Sequence, residues 1–310
     1  MLPRDRRQSH IILPRLALLA AALIWGSSFV MMKNAVAVFP THLLLASRFS
    51  VACLILCVVF IKRLPRIDKD YLRKTALAGF CLYLAYTFQT IGIRHTTPGK
   101  NAFLTGVYVV IVPFLFWFAG KRKPAVKNIL AALICLAGVS LISIDIPAGG
   151  LTGGGLEVNI GDALTLVGGF FYSAHMVCLA LFTEDKDPIL LTILQFAYCA
   201  AYFGLSSILT ETLPEAVNAL AILNVLYLAV FCTAVALLFQ TYGQKYASPS
   251  SASLIMSLEA VFGVLFSVAI YGEQLTLKVL IGFALIFAAI IVSETRAGWT
   301  QGWTKGSINV

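Results

Sequence analysis

Residues 100–143 read KNAFLTGVYVVIVPFLFWFAGKRKPAVKNILAALICLAGVSLIS, and residues 250–294 read SSASLIMSLEAVFGVLFSVAIYGEQLTLKVLIGFALIFAAIIVSE. Each stretch holds an apolar run, a short polar turn and a second apolar run, and each follows a proline, Pro98 or Pro249. Ala102 pairs with Ala252 and, after one gap, Lys127 pairs with Lys278. Earlier in the chain Trp25 pairs with Tyr172, and Arg48 with Gln195, at a constant offset of 147. One unit therefore occurs twice. Each copy contains five apolar runs, an odd number, so a second copy threaded through a bilayer after the first enters it upside down. Two inverted halves around a central site is an architecture shared by many secondary carriers.

Composition supports the membrane reading. Of 310 residues, 59% are hydrophobic and 12% are charged, against about 25% charged in soluble domains. Mean hydropathy is +0.89. The predicted spans are 16–38, 43–61, 75–93, 101–119, 127–144, 161–182, 189–209, 219–242, 250–271 and 276–294, each close to the ~20 residues needed to cross ~30 Å of hydrocarbon. The runs are continuous instead of alternating, which excludes a β-barrel. The expected fold is an all-α polytopic membrane protein with ten transmembrane helices in two inverted five-helix repeats, 16–144 and 161–294. Residues 1–15 form a basic N-terminal segment, 145–160 a Gly-rich linker and 295–310 a tail in which Trp299 and Trp303 could anchor at the interface. The first run is too long for the apolar core of a secretory signal, so it is read as a retained span.

Charge fixes the expected orientation. Arg4, Arg6, Arg7, Arg15, Lys62, Arg63, Arg66, Lys69, Arg73, Lys74, Lys121, Arg122, Lys123, Lys127, Lys186, Lys245, Arg296 and Lys305 all fall on one side. The other side receives Arg94, Lys100 and Lys278, while Lys33 and Arg48 lie within spans. Positive residues stay in the cytoplasm, so both termini are expected there. The net charge of +9 is thus a topology signal, and no nucleic-acid partner is expected. The expected partners are lipid and a small-molecule substrate. The oligomeric state is not set, and a monomer is compatible with the sequence.

The residues also carry a family likeness. Ala22-Leu23-Ile24-Trp25-Gly26-Ser27-Ser28-Phe29, then Lys33, resembles the opening span of EamA-type proteins in the drug/metabolite transporter superfamily. Phe103-Leu104-Thr105-Gly106-Val107-Tyr108-Val109-Val110 with Pro113 resembles that family's fourth span. Ser257-Leu258-Glu259-Ala260-Val261-Phe262, then Gly272-Glu273, resembles its ninth span and exit turn. Ala260 stands where the family often has Pro, Tyr172 where Trp is common, and Gly120-Lys121 where the second half has Gly272-Glu273. The resemblance implies ten helices in inverted five-helix repeats, a cavity lined mainly by spans 1, 3, 4, 6, 8 and 9, and movement of small polar metabolites, often amino acids, usually outward across the plasma membrane (bacterial inner membrane); alternating access is the expected mechanism. A passive channel, or a membrane protein that transports nothing, are the alternatives.

Ionisable groups inside a bilayer cost ~2.5–3.5 kcal/mol each on insertion scales, so they need a reason. Glu259 and His175 are the candidates for ion coupling or substrate contact; either could equally be a buried group satisfied by a neighbouring helix. Lys33 and Arg48 lie near outer ends of their spans and could snorkel to the interface. Arg48 is read as a structural tie, and Lys33 as attractive to an anion if it faces inward. Trp25, Tyr83, Tyr86, Tyr108 and Tyr172 are candidates for a wall that is apolar in bulk and polar at its edge. Tyr83, Tyr86, Gln89 and Thr90 share one face of span 3; Asn101, Thr105 and Tyr108 share one face of span 4. Ser28, Gln240 and Ser257 complete the set, and each residue could instead pack between helices. No catalytic motif, nucleotide-binding loop or metal-ligand spacing is present, and no enzyme activity, cofactor or metal is expected. The seven cysteines fall in apolar runs and are read as small buried hydrophobes.

Overall fold

The computed structural model describes residues 4–119, 123–145, 157–183, 186–214, 216–246 and 255–294. Its helices are α1 (Arg4–Ala35), α2 (Thr41–Val59), α3 (Lys69–His95), α4 (Pro98–Gly106), α5 (Tyr108–Phe118), α6 (Val126–Ser143), α7 (Ile160–Phe182), α8 (Pro188–Thr210), α9 (Ala219–Tyr227), α10 (Ala236–Tyr246), α11 (Leu258–Phe266) and α12 (Leu277–Glu294). The tail with Trp299 and Trp303 and most of the linker lie outside the described residues.

Seven helical stretches among the described residues are long and apolar enough to cross a bilayer: Ile12–Ala35, Thr41–Val59, Lys69–His95, Pro98–Phe118, Ile160–Phe182, Pro188–Thr210 and Ala219–Tyr246. Three shorter apolar helices accompany them, Val126–Ile142, Leu258–Tyr271 and Leu277–Ser293. Their outward faces carry large apolar side chains such as Val58, Phe118 and Ile208, exposed by 72%, 82% and 83%. In water such a surface would be an aggregation liability; in a bilayer it meets hydrocarbon.

Helix starts follow local chemistry. The side chain of Asp68 accepts from Tyr71 N–H at the start of α3, Asn159 from Asp162 N–H at α7, and Asn218 from Ala221 N–H at α9, which satisfies donors that a helix cannot pair itself. Pro98 and Pro188 occupy first-turn positions, where proline costs nothing.

Four details depart from the sequence expectation. The first helix begins near Arg4 rather than at 16. The fourth run is broken at Val107 into α4 and α5. Residues Leu228–Val235 and Ser267–Tyr271 wind as π-helix. A two-residue antiparallel ladder, Ile144–Asp145 with Glu157–Val158, closes the ends of the linker.

Every major contact joins an element before the linker to one after it. Helix α3 packs on α7 and α8, α6 on α12, and α2 on α8 and the first π-segment. Helix α1 packs on α10 and α11, α4 on α11, and α4 and α5 on α7. Close approach is built from glycine. A Cβ on Gly92 would meet Gly161 O at 2.7 Å, and one on Gly138 would meet Gly282 O at 2.8 Å. Only a residue without a side chain allows backbones so near.

Candidate functional site

These interfaces leave a polar cavity, lined by Trp25, Ser28, Phe29 and Met32 of α1, Arg48 of α2, Leu82, Tyr86, Gln89 and Ile93 of α3, and Asn101 and Thr105 of α4. Tyr108 of α5, Tyr172, His175 and Met176 of α7, Leu237 and Gln240 of α10, Met256, and Glu259 of α11 close it. About 40 Å³ is open to the centres of water molecules, room for a few waters. In this conformation the cavity must widen before it takes a metabolite.

A network organises the wall between α3, α4 and α7. Gln89 donates through Nε2 to Thr105 Oγ1 at 3.0 Å and accepts through Oε1 from Tyr172 at 2.8 Å. Asn101 Nδ2 donates to Thr165 Oγ1 at 2.7 Å and to Gln89 O at 3.3 Å. The Gln89 carbonyl can only accept, so the amide of Asn101 is oriented, and its Oδ1 is buried without a partner. Gln240 Oε1 is likewise buried and unpartnered. His175 is fully enclosed, with Nε2 at 2.8 Å from Gln195 Oε1.

Of the fourteen residues singled out from the sequence, eleven line this cavity: Trp25, Ser28, Tyr86, Gln89, Asn101, Thr105, Tyr108, Tyr172, His175, Gln240 and Glu259. Three do not. Lys33 donates to the carbonyls of Ile93, Arg94 and Thr96 at 2.6, 3.1 and 2.8 Å, tying the end of α1 to the end of α3. Tyr83 turns to Ser206, at 2.8 Å, and packs on Phe203 and Tyr202. Ser257 is buried at the start of α11. Thr90, on the same face of α3 as Tyr86, is buried without a partner.

Arg48, read from the sequence as a structural tie that could also snorkel, does not reach the interface. It is 1% exposed and sits seven residues into α2, about 10 Å from the helix start at 1.5 Å per residue. Nε donates to Thr233 Oγ1 at 2.5 Å, and Nη2 to Tyr86 OH and Cys232 O at 3.3 Å each. The guanidinium lies 4.8 Å from the Tyr86 ring centroid. The same Cys232 carbonyl accepts from Trp25 Nε1 at 2.8 Å. Among the described residues Nη1 has no hydrogen-bond partner, and no ion pair joins Arg48 to Glu259. The offset that aligns Arg48 with Gln195, another polar residue inside a span, was the available signal for its inward position. The apolar wall residues Phe29, Met32, Leu82 and Met256 carried no signal to separate them from ordinary core.

Both ends of the bundle are latched between the halves. At the end poor in basic residues, Glu273 accepts from Thr97 Oγ1, from Ser267 Oγ and from Gly99 N–H at 2.9 Å. There too Asp162 accepts from Thr96 Oγ1 at 2.5 Å and faces Lys100 at 3.7 Å. At the basic end Arg63 pairs with Asp187 at 2.7 Å, and Lys186 with Asp70 and Asp68 at 2.9 and 3.2 Å. The N–H of Tyr71, helped by Lys186, holds the Asp68 carboxyl below its ordinary range; the hydrogen bond to Asp70 raises Lys186.

The sequence pattern of the EamA-like transporter family matches residues 13–144 and 159–295. The chain belongs to the EamA-like transporter family. An uncharacterized transporter of Archaeoglobus fulgidus is 33% identical over 91% of this chain and 85% of its own length. An uncharacterized transporter of Bacillus subtilis, YvbV, is 28% identical over 91% of this chain and 92% of its own. A solved crystal structure, 21% identical, superposes with a TM-score of 0.62 over 91% of this chain and 96% of that one; that likeness concerns the fold alone. This EamA-like protein is therefore a multi-pass membrane protein of a transporter family.

Proposed function

We propose that this protein is a secondary transporter that exports amino acids or related small polar metabolites across the bacterial inner membrane by alternating access, with ten spans in two inverted repeats (16–144 and 161–294) and both termini cytoplasmic. The observation that carries the proposal is a polar cavity at the junction of the two halves, latched at both ends. A path that opens to one side at a time needs a site between two bodies and a breakable seal at each end.

The packing favours inverted repeats. Number the spans in order and exchange each with the one five later. The contact of spans 3 and 6 then becomes that of 8 and 1, 1 with 9 becomes 6 with 4, and 3 with 7 becomes 8 with 2; 2 with 7, 4 with 9 and 5 with 10 return to themselves. All of these contacts occur. Cavity residues follow the same rule: Trp25 with Tyr172, and Ser28 with His175, are each 147 apart. Two separate matches to one family pattern agree with it.

Glu259 and His175 are the acidic and imidazole groups of the cavity wall and are assigned to ion coupling, with His175 held in place by Gln195. The test is counterflow in proteoliposomes loaded with unlabelled pools of amino acids and supplied with labelled tracer, with no gradient imposed. Saturable accumulation with one pool supports a carrier. Flux that does not saturate, without counterflow, indicates a channel. Coupling is checked separately: Glu259→Gln should flatten the pH dependence of export, and an unchanged pH profile removes Glu259 from that role.

A further inference from the structure

The direction in which the empty carrier faces is a separate matter from the alternating-access reading above, although it rests on that reading. We propose that Glu273, with Glu211 and Asp162, seals the end poor in basic residues more firmly than the opposite end is sealed, so that the substrate-free protein rests closed to the outside and opens first to the cytoplasm.

Among the described residues, three carboxylates of the second half grip the first half at that one end. Glu273 accepts from the Thr97 hydroxyl and from Gly99 N–H at 2.9 Å. Glu211, just past the end of α8, accepts from the N–H groups of His42 and Leu43 at 2.8 Å each. Asp162 accepts from the Thr96 hydroxyl and is 0% exposed. The amides of His42, Leu43 and Gly99 lie in the first turns of α2 and α4, where a helix cannot pair its own donors. Glu211 and Glu273 thus cap helices of the other half, and the positive end of each helix dipole strengthens the attraction. The backbone is shaped for this clamp. Gly272, with φ +72°, turns the chain into Glu273. The Ser267 hydroxyl steadies the Glu273 carboxylate, and the Ser267 carbonyl accepts from Glu273 N–H at 3.3 Å. An ideal Cβ on Gly99 would lie 2.6 Å from Glu273 Oε2, so a side chain there would push the carboxylate off that amide.

The basic end is joined by a different chemistry. Its ion pairs use Arg63, Asp70 and Asp68, whose side chains are 43%, 49% and 57% exposed, and pairs so open to water contribute little. The sequence repeat accounts for the difference. At the offset of 147, Asp162 and Glu211 correspond to Arg15 and Leu64, and Glu273 corresponds to Lys121. None of the three carboxylates therefore has an acidic counterpart in the first half. Inverted halves with matching seals would face either side equally; unequal seals shift the population toward the state that keeps the stronger one.

The experiment uses the full-length protein carrying Ser28→Cys, a position on the cavity wall, in right-side-out and inside-out membrane vesicles without substrate. A membrane-impermeant methanethiosulfonate is added, and labelling of position 28 is read by mass spectrometry. The expected result is labelling at least ~10-fold faster from the cytoplasmic side, with Glu273→Gln raising the outer rate at least ~10-fold. Gly99→Ala, which keeps the carboxylate but displaces it, should raise the outer rate in the same direction. Arg63→Gln should change either rate less than ~2-fold. Faster labelling from the outside before Glu273 is changed, no labelling from either side, or an outer rate unmoved by folded Glu273→Gln overturns the proposal and leaves alternating access standing. An effect of Arg63→Gln as large as that of Glu273→Gln does the same. If Glu273→Gln does not fold, Gly99→Ala and the side preference of the parent decide. Equal, rapid labelling of the parent from both sides marks an open pore and overturns both readings.

Discussion

Adding one carbon at Gly92 should drive α3 away from α7. An ideal Cβ there would lie 2.6 Å from Thr165 Oγ1 and 2.7 Å from Gly161 O. At Gly161 the added atom would lie 2.6 Å from Gly92 O and 2.7 Å from the carbonyl carbon of His95. Neither contact can be relieved by turning a flexible side chain, because backbone lies on both sides and Thr165 is tied to Gly161 O and Asn101. Overpacking of this kind costs about 1–3 kcal/mol, partly offset by the ~1 kcal/mol by which Ala outranks Gly inside a helix. The net expectation for Gly92→Ala is a loss of up to about 2 kcal/mol. Gly204 in α8 is the control: nothing lies within 4 Å of its added Cβ, so Gly204→Ala should be neutral or stabilising by up to ~1 kcal/mol. The double variant Gly92→Ala/Gly161→Ala should cost less than the sum, by roughly 1 kcal/mol, because one displacement of the helix pair relieves both clashes. The assay is thermal melting of the purified protein in one detergent. Since α3 carries Gln89 and α7 carries Tyr172, counterflow by Gly92→Ala should fall as well. A melting point for Gly92→Ala at or above wild type, alongside a neutral Gly204→Ala, would refute the close approach of α3 and α7.

Glu273→Ala removes the acceptor for three donors at the end poor in basic residues; hydrogen bonds to a charge contribute about 1.5–3 kcal/mol each when buried and less at this half-exposed position, and hydrogen exchange of residues 94–100 should rise, with unchanged exchange counting against a latch. Gly272 has φ +72°, so Gly272→Ala should cost about 1–2 kcal/mol, read as a lower melting point. The Asp68 carboxylate is favoured by the fold, so its contribution is present above the ordinary carboxylate value of 3.8 and is lost as pH falls through its lower folded value. Wild type should therefore lose melting temperature between pH 5 and 3 more steeply than Asp68→Asn, and parallel curves would show that the cap does not matter. Tyr83→Phe breaks only the contact with Ser206, so counterflow should be retained; a large loss would bring Tyr83 back to the cavity.

The order and rough bounds of the apolar runs were legible because a bilayer imposes length and hydrophobicity residue by residue. Eleven cavity residues were legible for a related reason: a polar or aromatic side chain inside an apolar run must face protein or water, so a short inventory of such residues overlaps any polar cavity. The misses are of two kinds. Lys33 and Arg48 lie within about two turns of their helix ends, where periodicity does not separate a bundle interior from an end or an interface, and Tyr83 lies mid-helix on a face that meets α8, a neighbour that periodicity does not name. The break at Val107 and the two π-segments left no mark in composition, because they depend on which backbone groups meet across helices.

By itself, then, the amino-acid sequence determined the solvent and the family. Both rest on local quantities, since apolar length sets whether a helix can leave water and the motifs around Trp25, Thr105 and Glu259 mark the kinship. Tertiary structure alone decided which polar residues act together. Arg48, Asn101 and Gln240 are separated by 53 and 139 positions in the chain and line one cavity because α2, α4 and α10 all border it. Convergence depends on the glycine contacts that set how closely helices from the two halves approach, and no window of sequence contains both sides of such a contact.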